Sequence, residues 1–119
     1  MDLPEAIDLC LSLPGSGQST PFGPDTLVFK VRGKIFALTD PSAFPPRMNL
    51  KCDPARSIEL REIHDSIQPG YHMNKRHWIT IQLDGTLPPD LIHELIVDSH
   101  GLIIASLPKK RRETLGNQH

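Results

Sequence analysis

The sequence predicts a two-layer α+β fold, in which helices pack on one face of an antiparallel sheet. Apolar residues recur at helical spacing in some segments and alternate with polar residues in others, in the order helix, strands, helix, strand, helix. The alternation indicates strands that bury only one face, as antiparallel sheets commonly do. A length of 119 residues suits one domain. We therefore expect a single domain over residues 1–108 and a basic tail over residues 109–119.

The first helix is predicted close to the start of the chain. Asp2 followed by Glu5 is typical of a helix N-terminus, where each side chain bonds the backbone amide of the other residue. The helix should end at Pro14-Gly15, and the polar loop that follows should contain a short strand around residues 20–22. Apolar residues recur at helical spacing in this segment and should face the core. They are Leu3, Ala6, Ile7, Cys10 and Leu11.

A β-hairpin is predicted over residues 27–39, with Arg32-Gly33 as its two turn residues. This turn pairs Phe29 with Phe36 across the two strands. The core face should then carry Leu27, Phe29, Val31, Phe36 and Leu38. The opposite face, which we expect to be partly solvated, should carry Val28, Lys30, Ile35 and Ala37.

A strand over residues 47–52 and a second helix follow the hairpin. Asp53-Pro54 is a strong helix start, because aspartate caps the N-terminus and proline is tolerated at the first helical position. The helix should run to about His64. The strand should turn Met48, Leu50 and Cys52 inward, and the helix should pack through Ala55, Ile58, Leu60 and Ile63.

The last strand and the last helix are predicted after a turn at Pro69-Gly70. Ile79, Ile81 and Leu83 alternate with polar residues over residues 77–83. The final helix should begin at Pro88-Pro89-Asp90 and end before Pro108. Its core stripe should be Ile92, Leu95, Ile96, Ser99, Leu102, Ile103 and Ser106.

Composition excludes several protein classes. Two cysteines are too few for a disulfide framework, the acidic first residues do not resemble a secretory signal, and no apolar run is long enough to cross a membrane. We therefore expect a cytoplasmic protein without a membrane partner. Cys52 precedes a helix start, where the helix dipole can lower a thiol pKa, but a small buried cysteine is the more ordinary interpretation.

The sequence offers no catalytic or metal-binding constellation. The histidines lack the spacing of zinc ligands, and no pair of cysteines has it either. Gly15-Ser16-Gly17 is neither a phosphate-binding loop nor a nucleophile elbow. We therefore expect no cofactor, no metal and no enzymatic activity.

The charges are segregated along the chain, although the formal net charge is only −1, with 13 basic and 14 acidic residues. Residues 29–52 hold five bases and one acid, and residues 66–83 hold Lys75 and Arg76 with no acid. Residues 1–28 and 84–98 hold four acids each and no base. Segregation of this kind can build a basic surface on a nearly neutral protein.

The segment over residues 69–78 combines two bases with two histidines, the single tyrosine and the single tryptophan. Bases interleaved with aromatic residues suit phosphate contacts together with stacking or groove insertion. The alternative is that Asn74 builds a turn, Trp78 covers the core and the bases are merely exposed. The residues alone leave both interpretations open.

This segment resembles a known family signature. Pro69-Gly70-Tyr71-His72-Met73-Asn74-Lys75-Arg76-His77-Trp78 is similar to the Pro-Gly-x-His-(Leu/Met)-Asn-Lys-x-His-Trp motif of the MmcQ/YjbR family of small bacterial proteins. The resemblance extends over roughly residues 5–110. It includes the hairpin Val28-Phe29-Lys30-Val31-x-Gly33-Lys34 and the motifs Leu13-Pro14-Gly15, Leu50-Lys51-Cys52, Leu83-Asp84-Gly85 and Ser106-Leu107-Pro108-Lys109. His100 departs from the pattern, since the family often has an aromatic residue there, which bears on packing.

The resemblance implies a fold comparable to the frataxin/CyaY group and to secretion-chaperone-like domains, and DNA binding through a double-wing surface. We expect the protein to be a monomer. We expect bases to contact phosphates, and Asn74, His77 and Trp78 to shape the contact or insert. Arg76 occupies a variable position of the motif, so its role rests on charge alone. The candidate nucleic-acid-binding residues are Lys30, Lys34, Lys51, Asn74, Lys75, Arg76, His77 and Trp78.

Two other functions remain open from the residues. In a protein-interaction or chaperone-like module, residues 71–78 would dock a peptide or a partner subunit, since tyrosine, tryptophan and arginine are frequent at the centres of interfaces. In an enzyme, His72, Asn74 and His77 would have to line one pocket.

Overall fold

The computed structural model describes residues 1–108, and the predicted tail over residues 109–119 lies outside them. Within the described range the chain forms three helices and six strands, which confirms the predicted α+β class. In chain order they are α1 (Leu3–Ser12), β1 (Ser16–Ser19), β2 (Leu27–Val31), β3 (Lys34–Thr39), β4 (Arg47–Lys51), α2 (Pro54–Ile63), β5 (Ile67–Pro69), β6 (Trp78–Gln82) and α3 (Pro89–Ser106).

The six strands form one antiparallel sheet in the order β1-β2-β3-β4-β6-β5. All three helices contribute to a single core on one face of this sheet, and α3 packs across β3 and β4 at its centre. The opposite face, which we call the open face, carries no helix of the described chain. The largest fully buried core side chains are Phe29, Phe36, Met48, Leu50, Ile67, Ile79, Ile81, Ile92 and Ile96.

The helix starts follow the predicted capping rules. The Asp2 side chain accepts a hydrogen bond from the Glu5 amide at 2.9 Å, and the Glu5 side chain accepts one from the Asp2 amide at 3.3 Å. Asp53 caps α2 in the same way, accepting from the Arg56 amide at 3.2 Å. Caps of this kind each stabilise a helix by about 1 kcal/mol, so the local sequence determines where α1 and α2 begin.

The hairpin turn is confirmed, but the predicted pairing beyond it is wrong by one residue. Val31 pairs with Lys34 as expected, whereas Phe29 pairs with Ala37 instead of Phe36. The register shift between β2 and β3 is a β-bulge, which places one extra residue in β3. The bulge therefore changes the face on which the following residues of β3 lie.

The bulge alters which hairpin side chains reach the core. Phe36 and Ala37 are both fully buried there, and the rings of Phe29 and Phe36 stay in contact with their centroids 6.4 Å apart. Leu38, predicted for the core face, pairs instead with Val28 outside the core cluster. Val28 is completely buried rather than partly solvated.

Further predictions need correction, among them the core positions of Leu11 and Ser106, which are both exposed. The first strand occupies Ser16–Ser19 instead of residues 20–22, and the short edge strand β5 was not predicted. The predicted stripe of α2 is largely wrong, because Ile58 and Ile63 are 53% and 72% exposed. The buried residues of α2 are Ser57 and Leu60, since this helix packs mainly against the narrow edge strand β5.

Both cysteines are buried and unpaired. Burial raises the pKa of Cys10 to about 12, and burial is also the main reason that the pKa of Cys52 is raised. The burial of Cys52 and its raised pKa favour the interpretation as a small buried side chain over that of a thiol activated by the helix dipole.

Gly70 lies where the chain leaves β5 and lacks room for a side chain. A Cβ atom there would come within 2.6 Å of the Trp78 Cβ and 3.0 Å of the Trp78 carbonyl carbon. We expect Gly70→Ala to lower the free energy of unfolding by about 1–3 kcal/mol, as overpacking does. Urea unfolding measures this change.

Gly101 provides the matched control, because a Cβ atom there meets nothing within 4 Å on an exposed turn of α3. Gly101→Ala should raise the free energy of unfolding by about 0.5–1 kcal/mol through the lower conformational entropy of alanine in the unfolded chain. Equal effects of the two substitutions would contradict the close approach of Gly70 to Trp78.

His100 is a buried histidine on α3, only 5% exposed, whose ring stands edge-on to Phe36 at 5.1 Å. Its Nε2 lies 2.8 Å from the carbonyl oxygen of Pro14, to which a neutral ring protonated at Nε2 can donate. Burial lowers the pKa of His100, and the bond to Pro14 opposes this only in part. The side chain thus takes the packing role predicted for an aromatic residue.

The lowered pKa makes stability depend on pH. Below the ordinary histidine pKa of about 6.5, this side chain is protonated in the unfolded chain but stays neutral in the folded chain until the pH is lower. The contribution of His100 to the free energy of unfolding is therefore complete above about pH 6.5 and decreases as the pH falls. His100→Gln keeps a donor for Pro14 but does not titrate. We expect the free energy of unfolding to decrease less from about pH 7.5 to pH 5 in this variant than in the wild type, as measured by urea unfolding. A parallel decrease in both proteins would contradict the assignment.

Candidate nucleic-acid interface

The strand register brings the predicted bases to one end of the sheet, which we call the hairpin end. Lys34 follows the β2–β3 turn and pairs with Val31. Lys30 directly precedes Val31 in β2. β4 runs antiparallel to β3 and finishes at this end with Lys51, which pairs with Trp78 of β6. The segment before Trp78, which carries the remaining candidates Asn74, Lys75, Arg76 and His77, must therefore also lie at the hairpin end.

These side chains remain available to a partner. Lys34, Lys75, Arg76 and His77 are exposed, and Lys30, Lys51 and Trp78 are partly exposed. The ion pairs found within residues 1–108 all belong to Arg56 of α2, which contacts Asp98 and, at 2.8 Å, Glu94 on α3. None of the predicted bases is neutralised in this way.

Acidic residues occupy the opposite end of the sheet. Asp25 precedes β2, Asp40 follows β3, Asp65 precedes β5 and Asp84 follows β6. Because neighbouring strands are antiparallel, all four positions lie at the end where β4 begins. Most charges near the strand ends are thus separated along the strand axis, and the exceptions are Arg47 at the acidic end and Asp53, which follows β4 at the hairpin end.

Asn74 builds the turn that presents Lys75 and Arg76. Its side-chain oxygen accepts from the Arg76 amide at 2.9 Å, and its carbonyl accepts from the Trp78 amide at 3.0 Å. Lys75 Nζ donates to the Gly70 carbonyl at 3.3 Å, which closes the loop on itself. Asn74 therefore has the turn-building role considered as an alternative, while its contact with DNA remains a prediction.

A ring of hydrogen bonds holds the start of the same loop over the open face. The Tyr71 amide donates to Thr80 Oγ1 at 2.8 Å, Thr80 Oγ1 donates to Asn49 Oδ1 at 2.6 Å, and Asn49 Nδ2 donates to the Tyr71 carbonyl at 2.9 Å. His72 follows with a positive φ of 58°, a conformation uncommon outside glycine. The ring holds residues 71–73 against the sheet.

This loop partly covers a solvent-accessible cavity of about 560 Å³ on the open face, which we call the open-face cavity. Sequence reasoning missed it, although the facing polar residues Asn49 and Thr80 on paired strands were a signal for a covered open face. Of the three residues considered for an enzymatic pocket, only His72 lines this cavity. The full lining is Phe22, Thr26, Leu38, Thr39, Asp40, Arg47, Asn49, Tyr71, His72 and Met73.

Residues 1–108 contain no group of three or more histidine, cysteine or acidic side chains arranged to hold a metal ion. No helix in the same range has the length and apolar character needed to span a membrane.

Known proteins are similar to this chain in sequence over most of its length. A model of the family described as YjbR matches residues 11–102. The uncharacterized protein YbdF of Escherichia coli O157:H7 is 43% identical over 102 residues, which cover 86% of this chain and 84% of the relative. The uncharacterized protein YjbR of Escherichia coli strain K12 is 32% identical over 115 residues, which cover 97% of this chain and 98% of the relative.

Solved structures share the same fold. The crystal structure of Deinococcus radiodurans protein DR2400, described with the family-model domain DUF419, has a TM-score of 0.92 and 43% identity, with 97% of this chain and 88% of that chain covered. A crystal structure of a Pseudomonas syringae protein has a TM-score of 0.75 and 32% identity, with 86% and 98% covered. Since the family model and the relatives span most of the sequence, the chain belongs to the YjbR family.

Proposed function

We propose that the hairpin end of the sheet binds duplex DNA through its phosphate backbone, without catalysing a reaction. The observation that carries the proposal is the gathering of Lys30, Lys34, Lys51, Lys75 and Arg76 at one end of the strands, with Asp25, Asp40, Asp65 and Asp84 at the other. An approaching polyanion is attracted to the first end and repelled by the second, so the charge distribution orients the protein on DNA.

The spacing of the strands suits contacts on both sides of a groove. The hairpin lies on β2 and β3, and the turn with Lys75 and Arg76 leads into β6. Three strand spacings separate β2 from β6, which corresponds to about 14 Å. A major groove is about 12 Å wide, so the two projections can reach phosphates of both strands.

This mode of binding predicts affinity without a sequence preference. The bases lie on strands and turns, and the described helices present no comparable basic face, so ribbon or wing contacts are favoured over a recognition helix. The net charge of −1 limits the affinity at moderate salt. We place this function in the cytoplasm, where both buried thiols stay reduced.

Charge reversal in the turn tests the proposal. Lys75→Glu/Arg76→Glu should weaken binding of a labelled duplex, and the slope of the logarithm of the binding constant against the logarithm of salt concentration should fall by about 1 per lost contact. Fluorescence anisotropy at low and moderate salt measures both quantities.

A second variant separates the position of the charges from their total. Adding Asp25→Lys/Asp65→Lys to the double variant restores the net charge at the opposite, exposed end of the sheet. Binding should remain weak if the hairpin end is the interface. Recovery of binding would show a dependence on net charge alone, and no binding of the wild type at low salt would exclude the function.

A protein-interaction function is the second candidate, because α2 exposes Ile58 and Ile63 to solvent. Ile58 lines a groove of about 830 Å³ that also includes Lys75 and Arg76. A stoichiometric partner that dissociates on Ile58→Ser but not on Lys75→Glu, in a chain that does not bind duplex, would favour this candidate over DNA.

A further inference from the structure

The open-face cavity has features of a small-molecule site that DNA binding does not use. Its volume of about 560 Å³ lies within the usual range for such sites. Its apolar surface is formed by Leu38 of β3, Met73 of the covering loop and Phe22, which precedes β2. Phe22 is 65% exposed, so an apolar ligand would remove a large ring from water.

Arg47 supplies the main polar group of the cavity. Its guanidinium carbon lies 5.0 Å from the centre of the Tyr71 ring, a distance suited to stacking. The ion pairs within residues 1–108 do not include Arg47, and its side chain donates none of the hydrogen bonds found there. A planar guanidinium held on an aromatic ring is well suited to a bidentate contact with a carboxylate.

Asp40 limits the charge that a ligand can carry. Its carboxylate accepts hydrogen bonds from the Ser42 amide at 2.9 Å and from the Ser42 hydroxyl at 2.6 Å. These bonds, and to a smaller extent the charge of Arg47, lower the pKa of Asp40. Because Arg47 offers a single positive charge beside this carboxylate, the pair suits a ligand with one carboxylate better than a ligand with two.

Hydrogen bonds within the chain fix the wall of the cavity. The hydrogen bonds of Tyr71 with Thr80 and Asn49 hold the covering loop in place, and His72 keeps its left-handed conformation beside them. A preformed wall reduces the ordering cost of binding. The strained position of His72 is also of a kind that concentrates at ligand sites.

We propose that the open-face cavity binds a small organic monocarboxylate with an apolar or aromatic body. The carboxylate contacts Arg47, and the body packs against Phe22, Leu38 and Met73. The charged groups of this site are separate from those of the proposed DNA interface, because Arg47 and Asp40 lie at the opposite end of the strands from Lys75 and Arg76.

Phenylacetate is a suitable probe, with phenylacetamide as its neutral analogue and inorganic phosphate as an anion without an apolar body. In an NMR titration of the labelled chain, phenylacetate should shift the amide signals of residues 71–73 and the Asn49 side chain saturably. Phenylacetamide should bind at least about tenfold more weakly, since it lacks the charge-assisted contact. Phosphate should give no saturable shift of these cavity signals.

Two variants test the parts of the site separately. Arg47→Gln should weaken phenylacetate binding by about tenfold or more. Phe22→Ala should weaken it severalfold, and it should leave the fold intact because the Phe22 ring is mostly exposed. Ile63→Ala is the control, with a side chain 72% exposed on α2 and outside the cavity, and it should bind like the wild type.

Several results would overturn the proposal. They are equal binding of the acid and the amide, equal binding of phosphate and phenylacetate, or unchanged binding in a folded Arg47→Gln chain. Lys75→Glu/Arg76→Glu should still bind phenylacetate, so a failure of the DNA proposal and a failure of this one are distinguishable.

Discussion

The pairing of β4 with β6 is the constraint on which both surfaces depend. It places Lys51 beside Trp78 at the hairpin end and Asn49 beside Thr80 in the middle of the open face. A slip of one residue would turn every side chain of a strand to the other face, which would expose the core residues and bury a lysine. The hydrophobic core therefore secures the register, and the register in turn determines which polar groups meet on the open face and which charges meet at the hairpin end.

The local parts of the fold could be predicted because each depends on residues close together in the chain. The caps at Asp2 and Asp53 and the Arg32-Gly33 turn are of this kind. The bulge in β3 could not be predicted, since Phe36 and Ala37 are both apolar and either can face the core. The burial of α2 depends on a three-residue edge strand whose pattern is too short to detect.

The candidate sites show the same division. The sequence reveals that the bases cluster along the chain, but only the strand order places Lys30 and Lys75 at the same end of the sheet. The open-face cavity was not predicted at all. Asn49 and Thr80 look like ordinary outward-facing residues of alternating strands, and they become enclosed only because the loop after β5 folds back over them.

The loop between β5 and β6 contributes to both surfaces, and its two halves differ in their contact with the sheet. The first half lies close to the sheet, because Gly70 has no side chain and hydrogen bonds of Tyr71 hold the loop there. The second half projects into solvent, because the Asn74 turn directs the chain so that Lys75 and Arg76 are exposed. Because most of the bases near the strand ends lie at the hairpin end and most of the acids at the other, a partner approaching this loop meets more basic than acidic charge, which the net charge of −1 does not describe.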